Sequence, residues 1–350
     1  MTVEVLDTDA ALWALAPEWD ALWRRVPDRP PFMSPAWLLP WWRHFGTGQP
    51  RVATLRHDGR LAAVLPLYVL DEPAGRKLLP IGAGLSDYQD VLAEPGIDPS
   101  PLLHAVLARA DGVAVCDLIE VPPESALHGL AQPPGWSMEW GAGSPCPMLV
   151  LPATVEAMAD AVPARALRKL RMNRNRADAA GGTVRERATA DTLPDLQADL
   201  IRLHQRRWTT QGEPCVLADP AVLGLHRDAG PALLQAGVLR LEVLRAGGQV
   251  AAVIMALLSG PDSILFYLSG FDDAHAFISP GTLLLGAMLE DAVREGRREA
   301  HFLRGQEAYK YAWGAMDRLN ATCRLLPLPP GEGRGEGGRE HGRWGRTDQA

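Results

Sequence analysis

Apolar residues return at helical spacing from Leu12 through Leu15, Trp19, Leu22 and Trp23 to Val26, which predicts a helix with one buried face. Val3–Leu6 reads as a strand before it. Pro27–Pro31 breaks the pattern. Ser34-Pro35 then opens a second helix over Ala36–Phe45, where Pro40 argues for a kink or a break. Two apolar runs, Val52–Arg56 and Leu61–Leu70, flank Asp58-Gly59, the signature of a tight hairpin. A strand over Lys77–Ile81, a Gly- and acid-containing loop over Gly82–Asp90, a helix over Leu102–Ala108 and a strand over Val113–Val121 follow. Pro122–Pro147 reads as an irregular crossover.

The second half opens with Val155–Ala161 and Arg165–Arg176, then a strand over Thr183–Arg187 and a helix over Leu193–Trp208. Asp219-Pro220 starts another helix, and a hairpin joins Leu239–Arg245 to Val250–Leu258. A strand over Ile264–Leu268 leads through a polar loop to Ser279-Pro280-Gly281-Thr282 and a helix ending near Glu295. Leu285, Met288, Leu289 and Ala292 form that helix's buried stripe. A short strand over Ala300–Leu303, a polar segment over Glu307–Trp313 and a last strand over Arg318–Leu328 complete the pattern. Strand, helix and parallel strand in this order predict a right-handed crossover.

Leu55–Val64 repeats as Leu244–Val253: each is strand, Gly turn, strand, with Ala-Ala-Val after the turn. The downstream order agrees as well, Leu102–Val121 standing where Leu283–Leu303 stands. The expectation is therefore an α/β chain with mixed sheets, built from two similar units over 1–150 and 151–328. The Gly-, Arg- and Glu-rich stretch 329–350 reads as a disordered tail.

Ser279 suits a helix N-cap and Pro280 its first position, which leaves the amides of Gly281 and Thr282 facing outward, where a phosphate is stabilised. The first copy has Asp98-Pro99-Ser100-Pro101 there, and Pro101 removes one of those donors. The second unit is therefore expected to bind the ligand's phosphates and the first to shape the acceptor side. Net charge of −7 over 350 residues gives no general basic field for DNA. The dense basic run lies over 165–176, either a solvated helix face or a grip on a polyanionic acceptor. Six of the eleven Trp precede Pro50, which suits core filling better than carbohydrate stacking. The four Cys lack metal spacing, no G-x-S-x-G nucleophile motif occurs, and no metal is expected. No signal peptide and no run long enough to span a membrane are read, so the expected location is cytoplasmic. Peripheral membrane association stays open, as does the oligomeric state.

Ser279–Leu285, Phe302–Gly314 and Arg202–Trp208 resemble the family named after the cellulose-biosynthesis acetyltransferase CelD. These are GNAT-type acyltransferases related to the Fem peptidyltransferases. Tyr309-Lys310-x-x-Trp313-Gly314 is the most specific element, and Pro31–Trp37 matches the family's entry motif. The family often has Asp where this chain has His301. The resemblance implies two tandem GNAT-like units spanning Trp19–Leu325. It also implies direct transfer from acetyl-CoA or another acyl-CoA to an amine or hydroxyl, with no acyl-enzyme. The acceptor would be an envelope or exopolysaccharide precursor, or a small molecule. On that reading Ser279, Gly281 and Thr282 hold the pyrophosphate, while Lys310 and Arg304 neutralise phosphate or oxyanion. Tyr309 protonates the leaving thiolate, and Glu307, Asp272 or Asp90 acts as base. Arg207, Trp208 and Trp313 line the acceptor cleft. A Fem-like use of aminoacyl-tRNA is disfavoured by the acidic charge, and a catalytically silent module is the other alternative.

Overall fold

The structure is a computed structural model that describes residues 1–211 and 215–329, the side chains of 208–211 excepted. The first half runs β1 (Thr2–Leu6), α1 (Asp9–Ala14), α2 (Ala16–Arg25), α3 (Pro35–Phe45), β2 (Gln49–His57), β3 (Arg60–Glu72), β4 (Gly75–Pro80), β5 (Leu92–Ala93), α4 (Ser100–Leu107), β6 (Val113–Val121) and β7 (Trp136–Val150). The second runs α5 (Met158–Ala161), α6 (Ala164–Ala179), β8 (Thr183–Arg187), α7 (Leu193–Gln211), α8 (Pro220–Gln235), β9 (Leu239–Ala246), β10 (Gln249–Ser259), β11 (Ser263–Phe271), α9 (Pro280–Arg294), β12 (Glu299–His301), α10 (Ala308–Ala312) and β13 (Met316–Pro327).

All the strands join one mixed sheet in the order β1-β2-β3-β4-β6-β13-β7-β12-β11-β10-β9-β8, with β5 added beside β3. The α/β class is as expected, and the repeat reaches further than its hairpin. Each half has a strand, helices, a hairpin, a third strand, a crossover helix and a parallel strand. Among the described residues the only parallel pairs are β4–β6 and β11–β12, at equivalent places. Both hairpins turn through residues at positive φ, Asp58 and Gly59 in one, Gly247 and Gly248 in the other. The segments after the turns, Ala62–Val64 and Ala251–Val253, are fully buried because helices pack on the strands they begin.

Two sequence expectations change. Part of the stretch read as an irregular crossover is β7, whose register with β13 runs from Trp136↔Pro327 to Met148↔Met316. Its prolines are tolerated because its other edge pairs with β12 only over Met148–Val150. Pro40 does not divide α3, which continues from Pro35 to Phe45. Residues 330–350, most of the expected tail, lie outside the described residues.

One apolar layer covers a single face of both halves, with α1, α2, α3, α7 and α8 packed on it. Trp19, Trp23, Trp37, Trp41 and Trp42 are buried there as core filling. The opposite face carries two separate cores, one under α4 and one under α9. Among the described residues, no helix is long and apolar enough to cross a membrane.

Candidate active site

Strands β11 and β12 are paired only from Ser263↔Glu299 to Leu265↔His301. Beyond Leu265, β11 continues to Phe271 while β12 ends, so the two part and leave one edge of β11 unpaired by a strand. At the parting point β11 carries a bulge: Met255 faces Leu268 and Ala256 faces Phe266, leaving Tyr267 as the extra residue. A cavity of about 310 Å³ fills the opening. Its walls are the diverging part of β11, Ile254 of β10, Phe302, the first two turns of α9 (Gly281, Thr282, Leu285), Tyr309, Trp313 and Arg207.

Five residues singled out from sequence therefore meet at one cavity. The α9 mouth is built differently from the expectation. Ser279 occupies the N-cap but sits at φ 50°, and its side chain makes no capping bond. The Thr282 amide is already donated to the Ser279 carbonyl at 3.0 Å. That leaves the Gly281 amide, which has no acceptor among the described residues. A Cβ at Gly281 would meet only Phe271 Cδ1, at 3.7 Å, so the fold itself does not demand glycine there. Arg207 supplies a second donor. Its guanidinium lies 5.3 Å from the Phe271 ring centroid, and its buried Nε has no partner among the described residues.

Tyr309 stands at the start of α10, its ring edge-on to Phe302 at 6.3 Å. Tyr309 is 39% exposed overall, yet desolvation by the cavity wall, with Glu307 nearby, pushes its hydroxyl up to about 12, and it holds its proton at neutral pH. Trp313 is 4% exposed and forms cavity wall and core at once. Gly314 ends the motif at φ 91°, where a Cβ would come within 2.7 Å of the Ala161 carbonyl oxygen. The glycine is needed by both conformation and space.

Lys310 does not face the cavity. Its ammonium donates to the carbonyls of Leu303 (3.3 Å), Arg304 (2.7 Å) and Gly305 (3.0 Å) and pairs with Glu307 at 2.9 Å. The sequence expectation that it neutralises phosphate or oxyanion is corrected: every N–H is used to hold a loop in which Leu303 and Gly305 both have positive φ. Arg304, expected to share that role, does not line the cavity either. It pairs with Asp87, reaches Gly84 O at 2.7 Å, and thereby ties the second half to the first half's loop Gly82–Asp90. Desolvation pushes the Asp87 carboxyl up, against the pull of the guanidinium. Tyr267 completes this seam by donating to Leu85 O at 2.9 Å.

None of the three carboxylates proposed as base lines the cavity. Glu307 is engaged by Lys310. Asp272 caps the Ala274 amide at 3.0 Å and pairs with Arg206 at 3.0 Å. Asp90 accepts from Ser125 Oγ and, at 2.7 Å, from the Val91 amide, and lies along a different cavity. The Trp208 side chain falls outside the described residues. Asp87, three residues before Asp90 in the same acidic loop, is the contact that sequence reasoning missed. The basic run forms α6, where Arg165, Arg168, Lys169, Arg171 and Arg176 are exposed and Arg174 pairs with Glu290 at 2.8 Å.

Residues 164–311 match the family described as an acetyltransferase (GNAT) domain. The parted strands, the bulge and the open helix mouth all fall within that stretch, which thus carries a GNAT acyltransferase domain. No curated protein matches the chain. Among solved structures, the chain resembles FemX (TM-score 0.65, 12% identity), covering 92% of this chain and 97% of that one. It also resembles a conserved protein of unknown function from Bacteroides thetaiotaomicron (TM-score 0.58, 11% identity, 93% and 100% covered). A third likeness is to L-PGS from Bacillus licheniformis (TM-score 0.52, 12% identity, 82% and 90% covered). At these identities the likeness is one of fold.

Proposed function

We propose that this chain transfers an acyl group from an acyl-CoA, in a single direct step, to an amine or hydroxyl acceptor. The observation that carries the reading is the convergence of the unpaired β11 edge, the Gly281 amide, the Arg207 guanidinium and the Tyr309 hydroxyl on one cavity. An open strand edge offers amide and carbonyl groups to an extended pantetheine arm, as it would to an added strand. Gly281 and Arg207 suit the diphosphate. The apolar walls, Phe266, Leu285, Phe302 and Trp313, suit the acyl chain and exclude water.

The acceptor's lone pair attacks the thioester carbonyl carbon; the new bond to carbon forms and the carbon–sulfur bond breaks. Tyr309, protonated and at the cavity wall, is placed to give the departing thiolate its proton. Unspent backbone amides along β11 are the available oxyanion donors. Lys310 acts as a positioning residue, setting the loop between β12 and α10. An envelope or exopolysaccharide precursor remains the proposed acceptor type, in line with the family resemblance.

A second reading, aminoacyl transfer from charged tRNA, is favoured by the exposed cationic face of α6. Melting curves with acetyl-CoA, longer acyl-CoAs and charged tRNA, on wild type and Gly281→Val, separate the two. Stabilisation by an acyl-CoA that is lost in Gly281→Val supports the first reading. Stabilisation by charged tRNA alone replaces it with the second, and no response to any donor refutes transfer.

A further inference from the structure

A second and larger cavity, about 630 Å³, opens on the other face of the same strand pair. Adjacent residues of a strand point to opposite faces. Phe266 and Phe302 line the first cavity, and their neighbours Leu265 and His301 line the second. The two cavities thus share the β11–β12 backbone as a common wall, just where the strands part. Most of the rest of the second cavity comes from the first half, from the turn before α3, the Tyr88–Ile97 segment before α4 and the turn after β6, and the second half adds the β10–β11 turn, Arg298 and Arg318. By the internal repeat, the loop before α4 and the turn after β6 stand where the loop before α9 and the segment after β12 stand in the second half.

Its inner lining is polar. Tyr88 OH and His301 Nδ1 are 2.9 Å apart, and His301 Nε2 lies 3.0 Å from Glu299 Oε2. His301 is 4% exposed. With Glu299 ionised, the proton sits on Nε2, so Nδ1 accepts from Tyr88, whose oxygen, beside the Cys146 thiol, keeps a lone pair for a ligand. The hydrogen bond from His301 holds the Glu299 carboxyl below its ordinary value. Arg318 bridges Glu124 and Glu299, at 3.9 Å from the latter. Of the rim acids, Glu94 is matched by Arg25 (2.8 Å) and Arg60 (3.0 Å) and Asp262 by Arg298 (3.4 Å), while Asp28 at the mouth forms no ion pair among the described residues. Inside, three carboxylates (Asp90, Glu124, Glu299) face one guanidinium. Asp90 has no cationic partner among the described residues, only Ser125 and the Val91 amide.

We propose that this second cavity is the acceptor site, that it takes a primary amine bound as its ammonium ion by Asp90 and Tyr88, and that the Tyr88–His301–Glu299 chain receives the proton released. The inference rests on the acyl-transfer reading. The ammonium loses one proton to this chain as it becomes the attacking amine. The nitrogen then bonds to the thioester carbon through the gap between β11 and β12, and sheds a second proton to solvent. The thiolate takes one proton from Tyr309, which is restored from water. The products are an amide and free thiol, with one net proton released. The family's usual acid at position 301 is thus replaced by an imidazole that reaches an acid two residues away.

The test is a titration of the full chain with methylammonium, cadaverine and glucosamine, read by the His301 imidazole NMR signals assigned with His301→Gln. Propionate is the charge-reversed control, and acetyl-CoA melting shifts are recorded on the same samples. Saturable shifts with at least one amine and none with propionate are expected, weakened about tenfold or more in Asp90→Asn and in Tyr88→Phe. Both variants should keep the acetyl-CoA melting shift. No saturable shift with any amine, an equal response to propionate, or unchanged affinity in Asp90→Asn overturns the proposal while an intact acetyl-CoA response leaves the donor reading standing. Loss of the acetyl-CoA response in wild type overturns both.

Discussion

Replacing Lys310 by methionine decides whether its ammonium serves the fold or the chemistry. Methionine keeps the stem's apolar packing and deletes the charge. Lys310 is 2% exposed, and its removal strands three carbonyl oxygens now held at 2.7–3.3 Å, that of Leu303 buried and those of Arg304 and Gly305 within partial reach of water. Each unsatisfied buried carbonyl costs about 1 kcal/mol or more, and relief of the ammonium's own desolvation offsets part of the total. A net loss of about 2 kcal/mol follows, or a fall in melting temperature of about 3 °C for a cooperative unit of this length. The partner Glu307 is about half exposed, so Glu307→Gln should cost about 1 kcal/mol or less. Thermal melts of both variants, run beside kcat and KM for an acyl-CoA, provide the measurement. Lys310→Met is expected to melt early and to lose turnover through a displaced Tyr309. If it melts within 1 °C of wild type yet turns over about a hundredfold more slowly, the ammonium touches the reacting groups and the positioning role is refuted.

Gly281→Val should fold normally, because a Cβ there meets only an ordinary contact, yet calorimetry should show acyl-CoA binding weakened about tenfold or more. Tyr309→Phe should lower kcat at least tenfold with KM for the acyl-CoA changed less than twofold, and wild type should show no alkaline loss of this acid below about pH 10. Burial depresses the His226 imidazole from 6.5 to about 4. Between those values the unfolded chain binds the extra proton, so stability falls as pH drops through that window, by up to about 3 kcal/mol. Urea melts at pH 7 and pH 5 on wild type and His226→Phe check this, the variant losing less. Burial raises Asp90 to about 7, so between about pH 4 and 7 the unfolded chain is the one that gives up its proton. Asp90→Asn should therefore gain in melting temperature over wild type as pH rises across that range.

Much of this architecture could be read from local chemistry. Asp58-Gly59 marked its hairpin because only residues that accept positive φ make that turn, and Ser279-Pro280 marked the start of α9. The repeat was visible through its second hairpin, and the gathering of Gly281 and Thr282 with Tyr309 and Trp313 followed from the strand–helix–strand order, whereas Arg207, on α7, came from the family resemblance alone. Other features were hidden because they depend on contacts far apart in sequence. The composition of β7, rich in Gly and Pro, resembles a loop, and it becomes a strand only because β13 pairs along it. A Cβ at Gly143 would approach the Asn320 backbone at 3.0 Å, a constraint that exists only once both strands are in place. Lys310 looked like a phosphate ligand because nothing local shows the carbonyls that turn back toward it. Asp87 and Asp90 were indistinguishable as residues, and the contact with Arg304, 217 positions away, separates them.

The last strands of the two halves change places. β13, made by the second half, lies beside β6 of the first, and β7, made by the first, lies beside β12 of the second. The molecule is in effect a pair of like subunits that have swapped an arm and been tethered into one chain. Cutting it at residue 150 would give each fragment the arm that belongs against the other, with a raw edge where its own neighbour should be. Co-expressed, such fragments should reassemble with each other, and purified singly they should aggregate. Neither half is expected to serve as a portable catalyst, so the proposed chemistry in one would be bound to the presence of the other by the weave of the sheet.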